Sequence, residues 1–264
     1  MLWDEQSWPQ IDQLDKGMPV VIPLGSCEQH GHHLPVGVDS IQVDAIAKAI
    51  EGSLTDMILL TPTLWVGSSH HHLDFPGTVS LVPSLYSKVI QDITRSVLRA
   101  GFKRIFFLNG HGGNEVPVSQ ALGELASIDD AADEALLACG SWWKVGADAL
   151  APEKHGNVTP CVTHACEYEV SFMLLLREDL VNMDAYTLNT PAIDDPYFNS
   201  DYGGKVAVLH RFARVTAPGN MGDASHATKA KGQSMFDAVV DDIAEYLTRF
   251  AGWPLLEKLG PKRP

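Results

Sequence analysis

Short apolar runs alternate with longer segments of helical periodicity along most of the chain. Apolar runs of about four to eight residues are typical of buried strands, and apolar residues roughly three or four apart indicate one face of a helix. Their alternation predicts βαβ units around a mostly parallel sheet, and therefore an α/β fold. The predicted strands are 19–25, 57–64, 104–110 and 136–145, and the predicted helices are 38–52, 83–101, about 115–127, about 166–177 and about 226–250.

Three segments carry more detailed predictions. In 83–101, a glycine at 101 follows as a stop signal, and the apolar positions that should form one buried face are Leu85, Val89, Ile93, Val97 and Leu98. In 206–216, partial alternation favours a late strand or the edge of a hairpin. Asp223 or Ser225 is expected to cap the last helix.

The composition is that of an ordinary globular protein. The 264 residues are 45% hydrophobic and 20% charged. There is no repeat, low-complexity tract or Gly/Ser linker, so residues 1–264 are expected to form a single domain. A formal net charge of −14 should repel phosphate backbones, which argues against nucleic acid and anionic membranes as partners.

Cysteine spacing and the N-terminal sequence bear on the compartment. The 4 cysteines form no CxxC pair, which argues against a zinc ribbon or a disulfide scaffold and favours a reducing cytosol. The N-terminal residues MLWDEQSWPQ are acidic and polar, unlike a signal peptide. No apolar run approaches the roughly 20 residues that span a bilayer. We expect a cytoplasmic protein that does not bind membranes.

Polar, glycine-rich segments follow three of the predicted strands. They read GSCEQHGHHLPVGVD, VGSSHHHLDFPGT and NGHGGNE. In parallel α/β sheets, ligands bind beyond the carboxyl ends of the strands. These histidine-bearing loops are therefore expected to converge on one site.

The first of these segments contains Glu28, His30 and Asp39. In extended backbone, residues two apart point the same way, so Glu28 and His30 can address one small volume. Asp39, at the start of the next helix, can return to that volume. Mixed carboxylate and imidazole ligands suit Zn²⁺ or Mn²⁺, and a carboxylate can bridge two such ions. An E-x-H triplet is also common in polar loops, so this segment alone leaves metal binding open.

Two later segments add candidates. His111 lies beside glycines directly after a strand, where an imidazole is well placed to bind a metal; a cap of the following helix is the less favoured alternative. His164 precedes Glu169 by about a turn and a half of helix, so one can bind metal while the other faces substrate. Acidic residues are also common at the start of a helix because they interact favourably with the positive end of the helix dipole. This alternative explains Glu167 better than His164.

Four motifs, in order, resemble the creatininase family: PLGSCEQHGHHLPVGVD, HHHLDFPGTVSL, NGHGGN and HACEYEVS. The resemblance implies a three-layer α/β/α sandwich with two divalent metal ions, zinc or manganese in most cases and Fe²⁺ as a further candidate. It also implies, by position, two pairs of metal ligands, a bridging aspartate and a catalytic histidine: Glu28 with His111, His30 with Glu169, Asp39, and His164.

Two positions depart from creatininase itself. Gly113 stands where creatininase has a glutamate two residues after the third-motif histidine, so one metal position lacks a ligand or uses water. Pro160 stands where creatininase has a tryptophan four residues before the catalytic histidine. Trp143, and His71 from the run at 70–72, are the candidates for contact with substrate. Core packing and loop polarity are the alternatives for these two side chains.

The resemblance implies that a metal-activated water cleaves an amide C–N bond while His164 passes a proton to the leaving nitrogen. A cyclic amide such as creatinine, or a formamide, is the expected small-molecule substrate, and a peptide of redox-cofactor maturation is the alternative. A serine or cysteine hydrolase using Cys166 or a loop serine stays open, as does a non-catalytic binding protein of this fold. Family members also tend towards homo-oligomers, with a hexamer among the candidates.

Overall fold

A parallel sheet forms the centre of the molecule. The computed structural model describes residues 1–189, 193, 195, 197–198, 206 and 208–260. In this part of the chain the sheet has four strands in the order β2-β1-β3-β4. Leu24 pairs with Asn109, and Asn109 with Ser141, so three strands end level at their carboxyl ends. The strands are β1 (Pro19–Leu24), β2 (Leu59–Leu60), β3 (Arg104–Asn109) and β4 (Leu136–Ser141).

Helices cover both faces of this sheet. Across the described ranges, every helix is too short or too polar to span a bilayer. The α-helices are α1 (Trp8–Gln13), α2 (Val38–Ser53), α3 (Pro83–Arg99), α4 (Glu115–Ile128), α5 (Asp130–Asp133), α6 (Trp142–Val145), α7 (Pro152–His155), α8 (Glu167–Leu176) and α9 (Lys229–Gly252). Short 3₁₀ helices lie at Trp3–Glu5, His70–His72, Gly112–Asn114, Glu178–Leu180, Met183–Ala185 and Phe212–Arg214.

Side chains of the central strands alternate between two apolar cores. Val21 and Phe106 belong to the core that α2, α8 and α9 cover, whereas Val20 and Ile105 belong to the core covered by α3 and α4. All of β1 is buried, as expected for a parallel strand with helices on both sides. The chain is therefore a three-layer α/β/α sandwich with a parallel sheet, which confirms the expected fold class.

Two predicted strands are longer than the strands that form. The strand predicted at 57–64 forms a continuous ladder with β1 at Leu59 and Leu60 and pairs with it again in a single bridge at Leu64, because Pro62 between them has no N–H to continue the ladder. The strand predicted at 136–145 ends at Ser141, and helix α6 follows. Trp142 is 1% exposed and its ring lies 5.1 Å from that of Phe172. The apolar signal of this segment thus comes from core packing beyond the end of the strand.

The prediction of a late strand at 206–216 is wrong for the described residues of that range, where a 3₁₀ turn forms at Phe212–Arg214. The turn buries Phe212, and Val215 after it is also buried, whereas Leu209 is 82% exposed. The predicted cap of the last helix is also wrong, because α9 begins at Lys229 and Thr228 caps it. The Asp223 carboxylate instead accepts the N–H of Ser225.

The buried face of α3 is displaced from the predicted one at the start of the helix, whereas Val97 and Leu98 near its end are buried as expected. Leu85 is 47% exposed, whereas the next residue, Tyr86, is fully buried with Ile90. The spacing of aliphatic residues alone does not identify this face, because its largest buried side chain is a tyrosine. Gly101 ends this segment as expected, with a φ of +95° that favours glycine.

Candidate metal centre

The predicted loops meet at the carboxyl end of the sheet. Asn114 joins two of them, because its amide group donates to the carbonyl of Gly25 (3.0 Å) and its Oδ1 accepts the N–H of Ser68 (2.8 Å). The loop after β3 is fixed to β1, since the N–H of Gly110 donates to the Leu24 carbonyl (2.8 Å). Because these segments also carry the predicted ligands, the ligands come to lie in one small volume.

On one side of the cluster, His30 lies between two carboxylates. Its Nδ1–H donates to the Glu28 carbonyl (3.1 Å), which turns Nε2 towards Asp39 Oδ1 (3.1 Å) and Glu169 Oε2 (3.9 Å). Asp39 lies in the first turn of α2 and Glu169 in the first turn of α8. Burial lowers the pKa of the His30 imidazole, but the Asp39 carboxylate outweighs burial and raises this pKa to about 10.

On the other side, His111 lies between Glu28 and Asp39. Its Nδ1 is 3.3 Å from Asp39 Oδ2 and its Nε2 is 3.2 Å from Glu28 Oε2. Burial lowers the pKa of His111, yet the two carboxylates raise it well above its usual range. Burial also raises the pKa of Asp39, but His30 and His111 hold it well below its usual range. Asp39 therefore addresses a different imidazole with each oxygen.

His164 lies above this cluster on the loop that precedes α8. Its Nε2–H donates to the Gln29 carbonyl (2.7 Å), which leaves Nδ1 as an acceptor 3.7 Å from Glu28 Oε1. Burial lowers the pKa of His164 and the neighbouring His30 lowers it further, well below its usual range. The imidazole is therefore neutral, with its free nitrogen facing the carboxylates.

A cavity of about 310 Å³ opens onto the cluster. Trp143 and His71, the two predicted substrate contacts, line it. The preceding Trp142 is a core residue, so the two tryptophans divide between core and cavity. Of the predicted metal ligands and catalytic histidine, the cavity wall includes Glu28, Asp39, His111, His164 and Glu169. His30 lies beneath them, fully buried.

The residues present fit divalent cations. Asp39 Oδ2 is buried without a hydrogen bond and faces the His111 imidazole at 3.3 Å, so it has lone pairs available for a cation. One ligand atom each from His30, Asp39 and Glu169 lie within 4.8 Å of one another, and the same holds for Glu28, His71 and His111. Imidazole and carboxylate donors without thiolates suit Zn²⁺ and Mn²⁺. The cluster can therefore hold metal.

The alternative nucleophiles are poorly suited to catalysis. Cys166 is fully buried, and burial raises the pKa of its thiol to about 12. Ser69 Oγ lies 3.2 Å from His111 Nε2, but this serine is also fully buried. Since a nucleophile needs both access and activation, neither side chain supports a covalent mechanism.

The sequence did not predict the roles of two residues of the site, Gln29 and His72, the latter from the run at 70–72. The Gln29 amide donates to His72 Nδ1 (2.9 Å) and to the Gly219 carbonyl (2.8 Å), while His72 Nε2 lies 3.4 Å from Glu28 Oε1. Both side chains hold the predicted ligand Glu28 and its neighbours in place. Gln29 lies between Glu28 and His30 in the sequence, so in extended backbone its side chain is expected on the opposite side from theirs. No local pattern therefore marks it as a residue of the site.

Comparison with known proteins yields sequence relatives over most of the chain. The family model named Creatininase, described as creatinine amidohydrolase, matches residues 4–247. The creatinine amidohydrolase of Pseudomonas putida is 31% identical over 244 residues, which cover 86% of this chain and 87% of the relative. The mycofactocin precursor peptide peptidase of Mycobacterium ulcerans is 30% identical over 255 residues, covering 94% and 88%.

Solved structures agree with these sequence matches. A mutant creatininase complexed with creatine superposes with a TM-score of 0.80 at 26% identity, covering 95% of this chain and 98% of that one. A creatininase mutant of Zn-Zn type has a TM-score of 0.77 at 27% identity, covering 94% and 97%. A manganese form of creatininase has a TM-score of 0.75 at 28% identity, also covering 94% and 97%.

Proposed function

The chain belongs to the creatininase family of hydrolases, and on this premise we propose that it is a divalent-metal-dependent amidohydrolase. The bond that it cleaves is the C–N bond of an amide, and water is the nucleophile. The observation that carries the proposal is the position of Asp39. Asp39 lies between His30 and His111, and each of its two oxygens faces one of these imidazoles. One of the two oxygens is buried without a hydrogen bond.

The proposed ligands divide into two groups that share Asp39. His30 and Glu169 bind one ion, and Glu28 and His111 bind the other. Bound divalent ions supply Lewis-acid chemistry, in which they polarise an amide carbonyl and lower the pKa of water. The relatives with Zn-Zn and manganese centres make these two metals the first candidates, and Fe²⁺ is a third.

His164 is the proposed proton carrier. Its Nδ1 accepts a proton from the attacking water and passes it to the nitrogen that leaves, while Nε2–H stays on the Gln29 carbonyl. Because the pKa of His164 is low, its protonated form gives up this proton readily. Glu28 Oε1, at 3.7 Å from Nδ1, stabilises the protonated form.

The cavity favours a small amide as substrate. Trp143 provides one aromatic wall and His71 lies on the wall beside the cluster. Pro160, the position that departs from creatininase, is exposed. We therefore propose a cyclic amide such as creatinine, or a formamide, held against Trp143. A precursor peptide is the second candidate, because a relative of equal similarity is a peptide peptidase.

We propose to test this function by metal loading and substrate screening. The protein is depleted of metal, reloaded with Zn²⁺ or Mn²⁺, and incubated with cyclic amides, formamides and short peptides, with products followed by mass spectrometry. Glu28→Ala serves as the blank, and Glu124→Ala, which removes an exposed carboxylate of α4, is the matched control. We expect turnover by the wild type and the control, and none by the blank.

Three results would count against the proposal. A wild type that neither binds Zn²⁺ or Mn²⁺ nor gains thermal stability from them is not a metal-dependent enzyme. A substrate that the blank consumes at the wild-type rate is no substrate of this site. Saturable binding of amides without turnover of any of them indicates a non-catalytic binding protein instead.

Three broader features belong to the same proposal. Residues 1–264 form a single creatininase-like domain, which the family match over 4–247 supports. The protein acts in the cytoplasm, in keeping with its cysteine spacing. It assembles as a homo-oligomer, with a hexamer as one candidate, and Trp253, 46% exposed near the C-terminus, is available for an interface.

A further inference from the structure

Gly113 leaves room for a side chain from another loop. A Cβ atom at this position would lie 2.7 Å from His71 Cε1 and 2.5 Å from His111 Nε2, and it would also collide with the Ser68 carbonyl. Carbon atoms do not approach each other so closely without displacing one another. The ring of His71 therefore occupies the space beside His111 that a side chain at 113 would need.

The 3₁₀ turn at His70–His72 points its three imidazoles in different directions, since successive residues of such a turn are about 120° apart. His70 Nδ1 pairs with Ser80 Oγ (2.7 Å), away from the cluster. His72 Nδ1 accepts from Gln29. His71 faces His111, and the two rings are stacked with centroids 5.6 Å apart and planes 8° apart.

The His71 ring brings a second nitrogen donor to the side of the cluster where His111 lies. Ligand atoms of Glu28, His71 and His111 all lie within 4.8 Å of one another. A second group, His30 with Asp39 and Glu169, contains a single imidazole and two carboxylates, and a third group joins Glu28 to His30 and His164. The two sides therefore differ in donor chemistry, with nitrogen richer on the side of His71.

We propose that His71 is a ligand of the ion beside Glu28 and His111, and that its nitrogen makes this position select Zn²⁺ over Mn²⁺. The inference rests on the proposed function, because it assumes that the cluster binds metal. Imidazole suits Zn²⁺, whereas carboxylate-rich sites suit Mn²⁺. The position beside His30 and Glu169 is then the one that accepts Mn²⁺ more readily.

The test compares metal positions and affinities in the wild type, His71→Ala and His70→Ala. Each protein receives one equivalent of Zn²⁺ and an excess of Mn²⁺, and anomalous diffraction at the two absorption edges locates each metal. Competition with a chelator gives the Zn²⁺ affinity. In the wild type and in His70→Ala we expect zinc beside Glu28 and His111. In His71→Ala we expect the zinc affinity of this position to fall at least about tenfold, with the preference over Mn²⁺ lost.

His71→Gln guards against a folding defect, because it keeps most of the side-chain volume without the imidazole. Zinc that stays beside Glu28 and His111 with wild-type affinity in both His71 variants overturns the inference and leaves the proposed function intact. A change in KM with unchanged metal binding also overturns it, and makes His71 a substrate contact only. A wild type that binds no divalent ion instead overturns the proposed function itself.

Discussion

The two sides of the cluster are held by different kinds of structure. Asp39 and Glu169 lie in the first turns of α2 and α8, two long helices whose apolar residues pack in the same core. Gln42 adds a direct link, because its amide donates to the Glu169 carbonyl (2.9 Å). Folding of the sandwich therefore positions Asp39 and Glu169, which with His30 form the helix side; His30 itself lies in the same loop as Glu28.

The loop side, formed by Glu28, His71 and His111, lies outside the long helices and strands. Its geometry depends on hydrogen bonds between loops, with Asn114 at their centre. Apolar burial tolerates small local changes, whereas a polar network loses its geometry when one member is removed. The comparison indicates that the helix side is the sturdier half of the site and the loop side the more easily altered one.

The largest expected effect comes from the residue that both sides share. Asp39→Asn keeps the shape of the side chain but removes its charge, so we expect both metal positions to weaken. The loss of activity should exceed about 100-fold, the upper range for residues that act only indirectly on a metal. Metal content by mass spectrometry and kcat/KM measure the two effects. Normal occupancy of either position would show that Asp39 does not bridge them.

A smaller effect should separate the two sides. Asn114→Ala removes the link between the loops, and we expect metal affinity on the loop side to fall about 10–100-fold while the helix side changes little. Gln42→Met, which removes the bond to the Glu169 carbonyl, is the matched variant and should affect the helix side alone. Calorimetric titration with Mn²⁺ and Zn²⁺ distinguishes them. Equal losses at both positions in either variant would contradict the division.

The smallest effect concerns protonation, in which the two sides resemble each other. Asp39 raises the pKa of His30 to about 10 despite burial, and the pKa of His111 is raised in the same way. A raised folded-state pKa stabilises the metal-free protein fully below about pH 6.5, the unperturbed value, and this stability is lost as the pH rises. We expect the Tm of the metal-free protein to fall by a few degrees between pH 6.5 and about pH 10.

The metal-loaded protein provides the control for this measurement. Metal ligation requires the imidazoles in their neutral form, so the loaded protein should not lose stability over the same interval. Thermal unfolding at pH 6.5, 8 and 9.5, with and without Zn²⁺, measures both. A Tm of the metal-free protein that rises with pH would contradict the raised pKa of His30.

Apolar patterning predicted most of the fold because the central strands are buried on both faces and the main helices on one. Strands β1 and β3 and helices α2, α4 and α8 lie within a few residues of their predicted bounds. Patterning failed where burial has another cause, as at Trp142 and Phe212, which are buried in the short helix α6 and in a 3₁₀ turn. Period and composition alone do not distinguish such residues from strand residues.

The site was predictable to the extent that its residues lie in short motifs. The six residues proposed as ligands or catalytic histidine do come together. The roles of Gln29 and His72 depend instead on contacts across long stretches of sequence, such as that between Gln29 and Gly219. Which of the three consecutive histidines faces His111 depends on the 3₁₀ turn, and a run of identical residues carries no sign of that turn.

The close packing of His71 against Gly113 makes these two positions epistatic. A side chain gained at 113 collides with the His71 ring and with the Ser68 carbonyl, so it is unfavourable while that ring is present. A smaller residue at 71 removes one of these obstacles, but the loop at 68 must also move. Replacing the His71 donor with a side chain at 113, in evolution or in design, therefore also requires a change in the 68–71 loop. Single substitutions at 113 will therefore be tolerated less well than the same substitutions combined with a changed loop.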